Sequence, residues 1–174
     1  MKNAVAMSDE VLAPASNTLR EKLDGHAHSL RPGQRAALLY SAPEEDHGQV
    51  KAVLQRMGYA VDVQTAVDQA VDQLRLNQYQ IVVLSSPAKQ TSPNSIMDYL
   101  AGLNMNIRRE IFVVLIGDGF KSADHLQAFM KSANLVLHPA DLPHMESLLT
   151  QGLQDLTRFY KVFIECLVES GKRL

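Results

Sequence analysis

The sequence predicts an α/β fold: a five-stranded parallel sheet in the order 2-1-3-4-5, helices on both faces, and a last helix longer than the sheet requires. Three observations predict it. Short apolar runs rich in β-branched residues recur along the chain, as AALLY at 36–40, AVDVQ at 60–64, IVVL at 81–84, IFVVLI at 111–116 and LVL at 135–137. Between them stand segments whose apolar residues repeat at helical spacing. From about Leu142 that helical pattern runs nearly to the end of the chain. Strict alternation of strands and helices implies parallel pairing with right-handed crossovers. Five such strands commonly adopt the order 2-1-3-4-5.

Residues 1–33 carry little pattern and are expected to form a flexible leader, or else a helix that docks on the domain or on a second subunit. Within it, residues 17–23 offer a turn or two of helix. His26 and His28 lack a carboxylate or cysteine at ligand spacing, which argues against a metal site. The domain proper is expected over 34–155, with a helical extension over 156–174.

The first strand, AALLY, ends in Ser41, Ala42 and Pro43. The helix after it is marked by Val50, Val53, Leu54 and Met57, with Glu44, Glu45 and Asp46 expected in its first turn, where negative charge suits the helix dipole. Gly58 supplies a stop after Met57. A second strand, AVDVQ, and a second helix, marked by Val67, Ala70, Val71 and Leu74, follow. The central run, Ile81 to Leu84, is bounded by polar residues and Pro87, so it reads as a strand buried on both faces. Ser92 and Pro93 are expected to open a third helix, which turns Ile96, Met97, Leu100 and Leu103 to the sheet. Arg108 and Arg109 precede the fourth strand and are expected to solvate the far end of the sheet. Gly117-Asp118-Gly119 ends that strand and is too short for a phosphate loop. Leu126, Phe129, Met130 and Ala133 mark a fourth helix. His138 and Pro139 close the brief fifth strand.

Composition narrows the function. The chain has 174 residues, 46% of them hydrophobic, and a net charge of −2. That charge gives no electrostatic argument for binding nucleic acid. The single cysteine excludes an internal disulfide framework and a multi-cysteine zinc site. No apolar run approaches the ~20 residues that span a bilayer, so no membrane insertion is expected. A cytoplasmic location is expected, because the first residues meet charge too early for a secretory signal.

In this arrangement the loops after Tyr40 and Leu84 flank one crevice at the carboxyl ends of the strands, where such sheets place their functional groups. The chain from about Arg35 to Gln154 resembles the receiver domain of bacterial response regulators, a flavodoxin-like fold. The resemblance rests on element order and on four stretches: LQRMGYAV, YQIVVLSSP, IFVVLIGD and LVLHPADL. It implies a phosphorylation site built from an acidic pair, an acceptor aspartate, a hydroxyl and a lysine. Those positions fall on Ser41 and Ala42, on Ser85, on Gly117 and on His138. The resemblance therefore implies a pseudo-receiver without magnesium, cofactor or catalytic residue. It also implies a cis His138–Pro139 peptide, after the lysine-proline step of receivers.

Two functional expectations follow. In the first, the chain is a phosphorylation-independent signalling module that is not an enzyme. It contacts an unidentified signalling protein and pairs with itself through Leu156, Phe159, Tyr160, Phe163, Ile164 and Leu167 on the last helix. The seam Leu142, Met145, Leu149, Gly152, Leu156, Phe159, Phe163, Cys166 alternates three- and four-residue steps and continues well past the point where the sheet is covered. The last helix folding back on its own domain or on the leader is the other reading of that seam. In the second expectation, Ser85, Ser86, Lys89, Thr91 and Ser92, with His138, cradle a small molecule or anion. Against that, the same hydroxyls suffice to cap a helix and satisfy loop backbone.

Overall fold

The computed structural model describes residues 33–42, 47–85 and 95–171, apart from the side chains of Ile164 and Leu167. The leader to residue 32, with His26 and His28, lies outside the described residues, as do 43–46 and 86–94. Strands β1 (Ala36–Tyr40), β2 (Ala60–Gln64), β3 (Ile81–Ser85), β4 (Phe112–Ile116) and β5 (Leu135–Leu137) form one sheet in the order β2-β1-β3-β4-β5. Every pairing is parallel.

Alternation along the strands divides the core in two. Ala37, Leu39, Val83, Phe112 and Val114 face helices α1 (Gly48–Arg56) and α6 (Met145–Glu169). Leu38, Val82, Leu84, Val113 and Leu115 face α2 (Val67–Leu76), α3 (Ile96–Gly102) and α5 (His125–Met130). Strands β3 and β4 are buried on both sides, so they read as unbroken apolar runs. A short helix, α4 (Met105–Arg108), follows α3. The sequence offers it no apolar repeat, only the cap made when Asn104 Oδ1 accepts from the Asn106 N–H at 3.0 Å.

Several local expectations change. Helix α1 opens at Gly48 with no acidic residue in its first turn. Ser95, not Ser92, caps α3: its hydroxyl accepts from the Asp98 N–H at 3.1 Å, and the Asp98 carboxylate accepts from the Ser95 N–H, a reciprocal capping box. The His138–Pro139 peptide is trans, the form that an X-Pro bond favours by about 0.5–1 kcal/mol, and His138 caps a 3-10 turn over Pro139–His144 with Pro139 in its opening positions. That turn, rather than a continuous helix from Leu142, leads into α6. Helix α5 turns Ala128 to the sheet and leaves Leu126, Phe129 and Met130 largely exposed. Its six residues make less than two turns, and the contact face follows the chain's return to β5, not the largest side chains.

Helix α6 lies close on the sheet at one point. A Cβ on Gly152 would stand 2.7 Å from Phe112 Cζ. Glycine is what lets the helix pass over this buried ring.

A polar cluster lies under α2. The Tyr79 hydroxyl donates to the Asp62 carboxylate, and Asn77 Nδ2 donates to Gln73 Oε1 at 2.7 Å. Asp62, Gln73 and Tyr79 are all buried. Burial, then the hydrogen bond to Asp62 and its negative charge, hold the Tyr79 phenol far above its ordinary value. Two outcomes follow. Tyr79→Phe removes the donor and strands a buried carboxylate, so it should lower unfolding free energy by about 1–3 kcal/mol. A phenol whose pKa is raised on folding contributes stability that is complete below pH ~10 and is lost as pH climbs above it. Urea titrations between pH 8 and 11 should therefore show stability falling at the alkaline end in the wild type, and falling less in Tyr79→Phe.

Candidate functional site

The register sets Tyr40 opposite Leu84, Ser85 opposite Ile116, and Ile116 opposite Leu137. Ser41, Ser85, Gly117 and His138 consequently stand side by side along the carboxyl edge of β1, β3, β4 and β5. This is the row that the strand order requires, and the four expected positions do come together there. Ala42 follows Ser41 at the margin. Ser86, Lys89, Thr91 and Ser92 lie outside the described residues.

Several polar groups of this edge bond within the protein. Ser41 is fully buried. Its N–H donates to the Gln64 carbonyl at 3.1 Å, and its hydroxyl donates to the Ala42 carbonyl at 3.3 Å. The Gly117 N–H donates to the Leu137 carbonyl at 3.0 Å. The His138 N–H donates to Ser122 Oγ at 2.8 Å, and His138 Nδ1 accepts from the Ala140 N–H at 3.1 Å. The Ser122 hydroxyl in turn donates to the Asp141 carboxylate. Ala123, next in the chain, takes a left-handed φ of 59° and donates its N–H to the Val136 carbonyl at 2.9 Å. Ser122 and Asp141 thus tie the loop after β4 to the turn after β5. Sequence reasoning missed Ser122, which stands sixteen residues from His138 with no spacing signal to join them.

Magnesium takes hard oxygen ligands, above all carboxylates. Among the described residues no three His, Cys, Asp or Glu side chains gather where they could hold a metal. A serine hydroxyl becomes a nucleophile when a base activates it; His138 Nδ1 already accepts from the Ala140 N–H.

The second candidate surface is the outer half of α6. Leu156 still packs against the core. Beyond it Phe159 is 77% exposed, and Val162, Phe163 and Cys166 are also exposed. The Phe159 and Tyr160 rings meet edge to face at 5.0 Å. One face of Phe163 is covered by its own domain, since the Arg109 guanidinium lies 4.4 Å from the ring centroid. Arg108, expected to be solvated, is instead held by the carbonyls of Ile111 at 2.9 Å and Ser132 at 2.6 Å. Burial pushes its guanidinium below the ordinary value, against an opposing pull from Tyr160. The side chains of Ile164 and Leu167 lie outside the described residues.

Comparison with known proteins gives the fold a context. Neither a protein-family model nor a curated protein matches the chain. Among solved structures it is similar to the receiver domain of a Francisella response regulator, at a TM-score of 0.54 and 11% identity, over 70% of this chain and 98% of that one. It is also similar to a signal receiver domain from Vibrio parahaemolyticus, at a TM-score of 0.52 and 15% identity, over 74% and 97% of the two chains. The chain has the fold of a response-regulator receiver domain.

Ser122→Ala removes the acceptor for a partly buried N–H and the donor to Asp141, and should cost about 1–3 kcal/mol of stability. Hydrogen exchange checks the cause: protection should drop at the His138 and Ala123 amides while β1 and β3 amides keep theirs.

Proposed function

We propose that the chain is a pseudo-receiver: a signal-transduction module that works by protein contact in the cytoplasm, without phosphorylation and without catalysis. One observation carries this reading. The carboxyl-edge row holds Ser41, Ser85, Gly117 and His138 where a receiver of this fold needs carboxylates, a hydroxyl and a lysine. The loop that would answer to phosphate is instead tied down by Ser122 and Asp141. With no charge to gain at this edge, the information the domain carries must lie in what its surface binds. The outer half of α6 supports self-association as part of that role, through Leu156, Phe159, Tyr160 and Phe163, with Ile164 and Leu167 in the same stretch of sequence. A further signalling protein would then meet the paired module. Small-ligand sensing at the crevice is the weaker reading, because Nδ1 of His138 and the hydroxyl of Ser41 are engaged within the protein.

Two measurements test this. Incubation with acetyl phosphate and magnesium should leave the intact mass unchanged and the amide spectrum unmoved; a phosphoryl adduct on Ser85 would refute the reading. Light scattering at tens of micromolar should give a dimer, and Phe159→Glu with Phe163→Glu should give a folded monomer with an unchanged α/β circular-dichroism spectrum. A monomeric wild type removes self-association from the proposal.

A further inference from the structure

Helices α2 and α3 pack side by side on one face of the sheet, and the groove between them changes character along its length. Toward the amino edge it deepens into a cleft of about 360 Å3 that α4 helps to line. Leu74, Tyr99 and Leu103 line the cleft and are each partly buried against the core. Leu76 and Ile107 line it too, yet they are 77% and 53% exposed. Neither belongs to a core stripe: Leu76 falls outside the Val67, Ala70, Val71, Leu74 repeat of α2, and α4 has no apolar repeat. Exposed apolar side chains gathered at a concave site mark a place of binding.

Toward the carboxyl edge the groove turns acidic. Arg75 and Tyr99 line both parts and divide them, with the guanidinium 5.6 Å from the ring centroid. Beyond that pair the lining carries Asp68, Asp72 and Asp98. Over both parts, Asp68, Asp72, Asp98 and Glu110 are set against a single cation, Arg75. That cation already pairs with Asp72 at 3.4 Å, so the charge left over is negative. Asp68 and Asp98 lie in first helical turns, where the helix dipole favours them. Asp72 and Glu110 do not, so helix capping leaves the full acidity of the groove unexplained.

We infer that this groove docks a short segment of a partner protein that is apolar at one end and basic at the other. The apolar side chains enter the cleft beside Leu76 and Ile107, and Lys or Arg side chains lie over Asp68, Asp72 and Asp98. Complementary charge sets the direction of the segment, and the cleft supplies its anchor. The ten residues of α2 measure about 15 Å along the axis. Roughly three turns of a partner helix match that length. The inference rests on the reading of the chain as a protein-contact module and adds the place and the chemistry of one contact. It uses neither α6 nor the row of Ser41, Ser85, Gly117 and His138.

The probe is a capped model helix of about twelve residues, with lysines in its first turn and leucines on one face of its last turns. It is titrated into isotope-labelled full-length protein and followed by amide NMR. Shifts should fall on α2, α3 and α4, with a dissociation constant on the order of 100 µM. Leu76→Asn and Ile107→Asn keep the charge, sit at exposed positions, and should each weaken binding about tenfold. Asp68→Asn with Asp72→Asn should weaken it about fivefold and flatten its dependence on salt. The same peptide with glutamates for lysines should not bind. No shift at all, shifts on α6 or the carboxyl edge instead, binding that these variants leave unchanged, or equal binding of the glutamate peptide overturns the inference. Phenethylammonium bound in the cleft as tightly as the peptide also overturns it, and assigns the cleft to a small organic cation. None of these outcomes touches the contact-module reading, which fails instead on a phosphoryl adduct at Ser85.

Discussion

The close passage of α6 over Phe112 governs more of this structure than any other contact. The ring opens β4, at the amino edge of the sheet, and is almost wholly buried. A helix can cross it only where no side chain intervenes, and Gly152 meets that condition. Upstream, Met145 and Leu149 fall onto the sheet and are fully buried. Downstream the helix has run past the amino edge, and its apolar stripe outlives the surface that it covers. The Arg56–Glu146 ion pair, at 2.8 Å, joins α1 to the start of α6. Both partners are exposed, so it contributes little. Packing at Phe112, not charge, fixes the helix in place.

That passage also explains the arginines before β4. The helix carries Tyr160 and Phe163 over the segment that enters the strand, and this covers what would otherwise be a solvated turn. Arg108 becomes a clamp between two backbone carbonyls, and Arg109 a lid on an aromatic ring. The outer half of α6 is thus braced on one side by its own domain while the face with Phe159 and Val162 stays open. A braced helix with one open apolar face loses little conformational freedom when it binds, which favours association.

The two ends of the sheet divide the polar work. Near the amino end, under α2, Asp62, Tyr79 and Gln73 form a satisfied buried cluster whose role is structural. At the carboxyl edge, where this fold places its chemistry, hydroxyls and an imidazole are spent on backbone groups and on a loop-to-loop tie. Buried polar groups must find partners or cost free energy. Here the partners shown among the described residues are internal.

The sequence alone determined the architecture: five strands in the observed order, helices on both faces, and the excess length of the last helix. Each is a local signal. Period-2 and period-3.6 patterning and strict alternation need only near neighbours, and the order follows from alternation and chirality. Contacts between distant segments were decided by tertiary structure. Ser122 reaches His138 and Asp141, and Tyr79 reaches Asp62, because the sheet's register brings separate crossovers together. Leu126, Phe129 and Met130 looked like a core stripe, yet the entry of α5 into β5 turned Ala128 inward instead. The His138–Pro139 bond took the trans form, and the His138 ring caps the next turn. In each case the deciding partner lay on another element, or in the geometry by which the chain met it, and one-dimensional spacing carries no record of either.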